Sequence, residues 1–281
     1  MSDDGYRTFI PLRPNGTLRL SAVVSRITGR PRRRVRGTMT GDDGRVHDVD
    51  GALTVTSEPL RLKGHGIDVT LQRCLAPIWS IHKPLGLVCT TQDPSGAPTL
   101  FDHIAMVLGT DPDANLVGRL DRDTSGVILM TPDGQLDQRL RHPSRHVERV
   151  YEATLARPLD PDAAAAATDP ARGVVLKDGH RVLAHDLRPL DDSDLRWTVT
   201  LTEGRYHEVR RLFAAMGSHV EQLQRVRYGT VAVEGEPGAC RLLDDAERRA
   251  LYALVSLEPS DTWATVTVAT IRDDDDDTLD E

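Results

Sequence analysis

The spacing of apolar positions divides the chain into short elements. From Leu18, the text LRLSAVVSRITGRPRRRVRGTMTG predicts a short helix, a turn at Gly29-Arg30-Pro31 and a second short, basic helix. RVHDVDGALTVTS and LRLKGHGIDVTLQ then alternate in the manner of short strands joined by glycine turns. Past a linker at 74–77, IWSIHKPLGLVCTT predicts two strands around a Pro-Gly turn. Helical spacing recurs at 100–108, at 134–142 before Pro143, at 160–167, at 206–216 before Gly217, and at 244–254. In the third of these, Asp160 caps and Pro161 takes the first position. Strand patterns occupy 149–157, 181–201 and 220–233. The continuous apolar run Val127 to Met130 has the length of a fully buried strand. Within 255–271, TWATVTVATI is rich in β-formers and reads as an added edge strand.

Composition narrows the class. The chain has 281 residues, enough for a sizeable core and two domains. No apolar run approaches a membrane span, and MSDDGYRTF lacks the basic-then-apolar order of a signal peptide. Cys74, Cys89 and Cys240 are too widely separated for a zinc spacing or a disulfide framework, so a reduced, cytoplasmic setting is expected. The formal charge of −8 is unevenly spread. Residues 1–75 carry 13 Lys and Arg against 8 Asp and Glu, whereas residues 273–281 hold seven acids and no base. Removing those seven leaves −1, so whole-chain acidity is no argument against a nucleic-acid partner. The tail itself has the composition of a disordered segment.

The segment with the most chemistry is GRLDRDTSGVILMTPDG, 118–134. It sets Asp121 between Arg119 and Arg122, then turns at Thr124-Ser125-Gly126 into the apolar run. A carboxylate in cationic surroundings beside a buried strand is placed to stay ionised and act as a nucleophile. A solvated aspartate in a loop salt bridge would leave the same local text.

Three further blocks accompany it in order: HKPLGLVCTTQDPSG at 82–96, ERVYEATL at 148–155, and LTEGRYHEVRRLFAAMGSHVEQLQRVRYG at 201–229. Together these four blocks resemble the pseudouridine synthases, whose signature reads GRLD or HRLD, two residues, TSG and an apolar strand. The likeness spans about 76–254 and is nearest the RsuA branch, which acts on small-subunit ribosomal RNA. It implies an α+β fold with a mixed, mainly antiparallel sheet and a central cleft. The two basic helices and small strands of 17–75 are similar to the degenerate alpha-L-type RNA-binding module that precedes such domains. A flexible N-terminus at 1–16, an extension at 255–272 and a disordered acidic tail at 273–281 complete the expected organisation.

The resemblance also implies roles. Asp121 is the candidate nucleophile, Arg210 of His207-Glu208-Val209-Arg210 its cationic partner, and Tyr151 the ring that packs on the target base and accepts a proton from its carbon. Leu212 is the candidate opposite apolar wall, Arg119 the candidate holder of the flipped nucleotide, and His207 a substrate contact. Lys83 and Arg205 are further candidate substrate contacts, structural or backbone-contacting rather than catalytic. Arg30, Arg32, Arg33, Arg34 and Arg36 are candidate phosphate contacts. Isomerising uridine needs no redox change and no external group, so neither a cofactor nor a metal is expected; Pro143 spoils His142 and His146 as a helical ligand pair. The expected partner is ribosomal RNA or a ribosome-assembly intermediate, bound by a monomer away from membranes. His82, Pro132 and Glu208 stand where the family pattern has Asn, Asn and Gln, which bears on RNA positioning more than on chemistry. A large-subunit uridine is the alternative target. A non-catalytic assembly factor would not need Asp121, Tyr151 and Arg210 together, and a carboxylate-pair glycosidase would need a second acid.

Overall fold

A computed structural model describes residues 7–109, 114–259 and 261–271. The chain forms two compact units, one from residues 1–76 with 259–281 and the other from 77–258. Among the described residues, no helix is long and apolar enough to cross a membrane.

In the first unit, β1 (Arg7–Pro11), β2 (Thr17–Arg19), α1 (Leu20–Thr28), β3 (Thr38–Gly41), β4 (Val46–Asp48), β5 (Ala52–Thr54), β6 (Leu60–Gly64) and β7 (Ile67–Cys74) precede the linker. The strand Trp263–Ile271 lies between β1 and β7 in a six-stranded sheet that continues through β6 and β3 to β4. Two expectations are corrected here. Residues 7–11 are a paired strand rather than part of a flexible end, and the segment at 263–271 is interior rather than an edge. Its alternation buries Ala264, Val266 and Val268 against α1 residues Leu20, Val23 and Val24. The second basic helix is also reduced, to a single 3-10 turn at Arg32–Arg34. Gly29 ends α1 in the left-handed conformation, Pro31 has no N–H to donate, and three consecutive arginines offer no apolar face to bury. Arg30, Arg32, Arg33, Arg34 and Arg36 are all exposed, with Arg36 3.3 Å from Asp50. The acidic stretch 273–281 lies outside the described residues.

The second unit runs β8 (Trp79–Lys83), α2 (Leu100–Leu108), β9 (Asn115–Leu116), β10 (Ser125–Thr131), α3 (Gly134–Arg141), β11 (Arg149–Leu155), α4 (Pro161–Thr168), β12 (Val174–Val175) and β13 (Arg181–Val182). It continues with β14 (Asp186–Pro189), β15 (Arg196–Leu201), α5 (Glu208–Ala215), β16 (Val220–Tyr228), β17 (Val231–Ala232), β18 (Cys240–Leu242) and α6 (Asp245–Leu254). Nine strands make one sheet, in the order β14-β15-β11-β16-β10-β8-β18, with β9 on β10 and β17 on β16. The β10–β16 pair is parallel and the rest are antiparallel, so the fold is α+β with a mixed sheet. Of the two strands expected around the Pro-Gly turn, only β8 forms; Val88 makes an isolated bridge to Thr99.

The apolar run of β10 explains why the sheet is covered on both faces. Val127, Ile128, Leu129 and Met130 are all fully buried. Ile128 and Met130 join one core with Ile81, Val199 and Phe213, and Val127 and Leu129 join the other with Leu136, Leu140 and Leu251.

Candidate active site

One row across four neighbouring strands underlies the site. Lys83 on β8 pairs with Gly126 on β10, Gly126 with Arg225 on β16, and Arg225 with Tyr151 on β11. A register shift between Val150 and Tyr151 sets this last pairing, because Val150 faces Arg227 and Val226 is left over. Gly126 is required where it stands: its φ is +113°, and a Cβ would overlap the backbone of Arg225. The glycine of TSG is thus the residue that lets the two parallel strands approach.

Above this row lies a cleft of about 850 Å³, lined among others by Arg119, Asp121, Tyr151, Arg205, Tyr206, His207, Arg210, Leu223 and Arg225. Its floor is cationic. Arg149 and Arg225 line it and are buried, and their guanidinium carbons lie 5.2 and 4.9 Å from the centre of the Tyr228 ring. Burial pushes the Tyr228 hydroxyl pKa up, and it donates to the Leu140 carbonyl at 2.9 Å. Arg225 Nε donates to Val127 O at 2.8 Å, while its Nη2 is buried without a hydrogen-bond partner among the described residues. Positive charge held beneath a cleft in this way favours an anionic guest through the field rather than by direct contact.

The turn carrying Asp121 is held through its carbonyls. Lys83 Nζ donates to Thr124 O at 2.9 Å, Pro84 O at 3.0 Å and Arg122 O at 3.4 Å. Gly86 N reaches Arg122 O at 2.9 Å, and Arg210 Nη2 reaches Asp123 O at 2.7 Å. Burial lowers the Lys83 pKa, opposed by the nearby Cys89, Asp121 and Asp123. Lys83 therefore supports the backbone of the turn and does not line the cleft, where the sequence made it a candidate substrate contact.

The ion pair expected between Asp121 and Arg210 is absent. Arg210 is spent on backbone, donating also to Val220 O at 3.1 Å, because α5 aims its guanidinium along the turn. The group facing Asp121 is His207, with Nε2 3.4 Å from Oδ1 and both side chains a little over one third exposed. His207 caps α5 in the left-handed conformation, φ +50°, a strained backbone state for a residue with a Cβ. Leu212 is also displaced from its expected role. It is fully buried in the core beside Tyr151 and does not line the cleft; Leu223 supplies that apolar wall instead. Tyr151 is 8% exposed and does line it. Arg119 lines it as well, and Arg205 Nε lies 3.0 Å from Glu203 at its rim.

His180, Glu203 and Glu208 bring one ligand atom each within 4.8 Å of one another, the set best able to hold a cation among the described residues. Arg205 already gives Glu203 a counter-charge and its backbone N–H donates to Glu208 at 3.1 Å, while His180 Nε2 is buried 3.6 and 3.8 Å from the two carboxylates without a hydrogen bond. Burial, then repulsion from Glu203, raises the Glu208 pKa.

Residues 77–215 match the family model described as RNA pseudouridylate synthase. The chain is 37% identical over 250 residues to ribosomal large subunit pseudouridine synthase B of Escherichia coli (strain K12), covering 86% of this chain and 84% of the relative. It therefore belongs to the pseudouridine synthase family. The relative of the same name from Vibrio cholerae is 35% identical over 253 residues, covering 86% of this chain and 76% of that one. A crystal structure described as a pseudouridylate synthase superposes with a TM-score of 0.55 at 29% identity, covering 83% of this chain and 99% of the other. The α+β fold is that of these enzymes, and the chain is a pseudouridine synthase.

The sequence motifs located Asp121, Tyr151, Arg119 and His207, and all four line the cleft. They did not single out Arg149, Leu223 or Tyr206, and they left Arg225 as general positive charge. The readable signal was the alternation in QLQRVRYG, which puts Leu223 and Arg225 on one face of β16.

Proposed function

We propose that the protein converts a uridine of large-subunit ribosomal RNA to pseudouridine, acting as a cytoplasmic monomer on the RNA or on an assembly intermediate. The small-subunit target expected from the RsuA likeness has no support from the relatives, whose names specify the large subunit. The observation that carries the reaction is Asp121 standing in a cleft of about 850 Å³ with Tyr151 as a wall and buried cations as a floor. That volume suits a flipped nucleotide with part of its flanking backbone.

The chemistry is an exchange at one ribose carbon. The C1′–N1 bond breaks, a C1′–C5 bond forms, C5 loses a proton and N1 gains one. Asp121 is the nucleophile or charge stabiliser at C1′. Tyr151 packs on the uracil, and its hydroxyl is the candidate acceptor for the C5 proton. Lys83 and Arg210 hold the turn that presents Asp121, and buried Arg149 and Arg225 put positive charge beneath the cleft. Arg30, Arg32, Arg33, Arg34 and Arg36 add phosphate contacts.

The test is pseudouridine mapping of ribosomal RNA from cells lacking the protein, complemented with wild type or Asp121→Asn. One large-subunit site should disappear and return with wild type only. A lost small-subunit site would retire the large-subunit assignment, and no lost site would favour an assembly factor that kept the fold.

A further inference from the structure

Tyr206 is 72% exposed, and among the described residues it is the exposed aromatic side chain in a chain with few aromatics. It lines the cleft. Its ring stacks on the His207 imidazole with centroids 3.8 Å apart and planes 17° from parallel. One face is thus taken by His207, and the opposite face is the source of the exposure. His207 in turn meets Asp121 at 3.4 Å. The sequence Tyr206–His207–Asp121 is a short ladder that starts in solvent and ends at the nucleophile.

We infer that the open face of Tyr206 is a stacking subsite for a nucleobase next to the target uridine. This rests on the proposed reaction with RNA. Taking a uridine out of its stack leaves its neighbours without a partner face, and an aromatic ring at the cleft rim replaces it. Such stacking tolerates any base, because every base has a π-face. Arg205 and Arg119 line the same cleft and supply charge for the adjoining phosphates.

The probe is a nine-nucleotide cytidine RNA with one central uridine and 2-aminopurine on its 5′ or 3′ side, titrated into full-length protein. Wild type should quench the fluorophore in one of the two placements. Tyr206→Phe should behave like wild type. Tyr206→Ala should lose the quenching and bind about 5- to 100-fold more weakly, the range expected for one base–aromatic stack. Its turnover of saturating RNA should stay within a few-fold of wild type. Absence of quenching by wild type, or equal quenching and affinity in Tyr206→Ala, overturns the subsite. A fall in turnover with unchanged affinity also overturns it, since Tyr206 would then serve only to brace His207. The two readings separate cleanly. Quenching in a protein that modifies no ribosomal uridine removes the reaction and keeps the stack, whereas modification without quenching does the reverse.

Discussion

Replacing Lys83 with Met tests whether the position of Asp121 depends on the carbonyls around it. Lys83 is fully buried, and two of its three hydrogen bonds, to Thr124 O and Pro84 O, are 3.0 Å or shorter. Hydrogen bonds to a charged donor contribute about 1.5–3 kcal/mol each, giving roughly 3–6 kcal/mol for the two. Removing the ammonium also removes the cost of burying it, which is of order several kcal/mol. Methionine keeps most of the stem packing, but leaves the two carbonyls without a donor at about 1 kcal/mol or more each. The net loss of stability should be about 1–3 kcal/mol, which leaves the protein folded. The effect on rate should be larger. Thr124, whose carbonyl is freed, closes the turn through its N–H to Asp121 O at 3.1 Å, and a misplacement near 1 Å in a group such as Asp121 costs on the order of 100-fold. Urea unfolding followed by circular dichroism gives the first quantity, and single-turnover pseudouridine formation with excess enzyme gives the second. Activity within three-fold of wild type, whatever the urea midpoint, would show that the turn keeps its shape without Lys83 and would refute the argument.

Arg210→Ala should lower turnover at least ten-fold through loss of the Asp123 and Val220 carbonyl contacts, with RNA affinity nearly unchanged; normal turnover in a steady-state assay would remove Arg210 from the support of the turn. For Glu208, burial and Glu203 raise the folded pKa above the usual 4.5, so the folded protein retains a proton that the unfolded chain releases as pH rises. Its stability contribution therefore falls as pH climbs from 4.5 through the folded value, by about 1.4 kcal/mol for each unit of difference. Glu208→Gln keeps an acceptor for the Arg205 N–H without that penalty. It should melt at or above the wild-type temperature at pH 7, with the advantage vanishing as the pH is lowered towards 4.5. A variant less stable than wild type at pH 7 would contradict the sign.

The linear text was enough to identify most element types, the buried strand at Val127–Met130 and the four blocks that mark the family. These depend on local spacing: period two in strands, period 3.6 in helices, and turn residues such as Gly126 that admit few replacements. It also placed Asp121 on a turn and Tyr151 on a strand, where both line the cleft. The partners of those residues were another matter. Arg210 was expected to face Asp121, and the folded chain gives that place to His207, since a left-handed cap turns the imidazole inward while the guanidinium finds carbonyls. Leu223 takes the place expected of Leu212, because the register of β16, including the bulge at Val226, decides which leucine reaches the cleft. Trp263–Ile271 was legible as a strand, but its interior position depends on pairing with segments about 200 to 260 residues earlier. Periodicity assigns a residue to a face; which faces, edges and carbonyls then meet is a matter of long-range register and packing, and only the tertiary structure decides it.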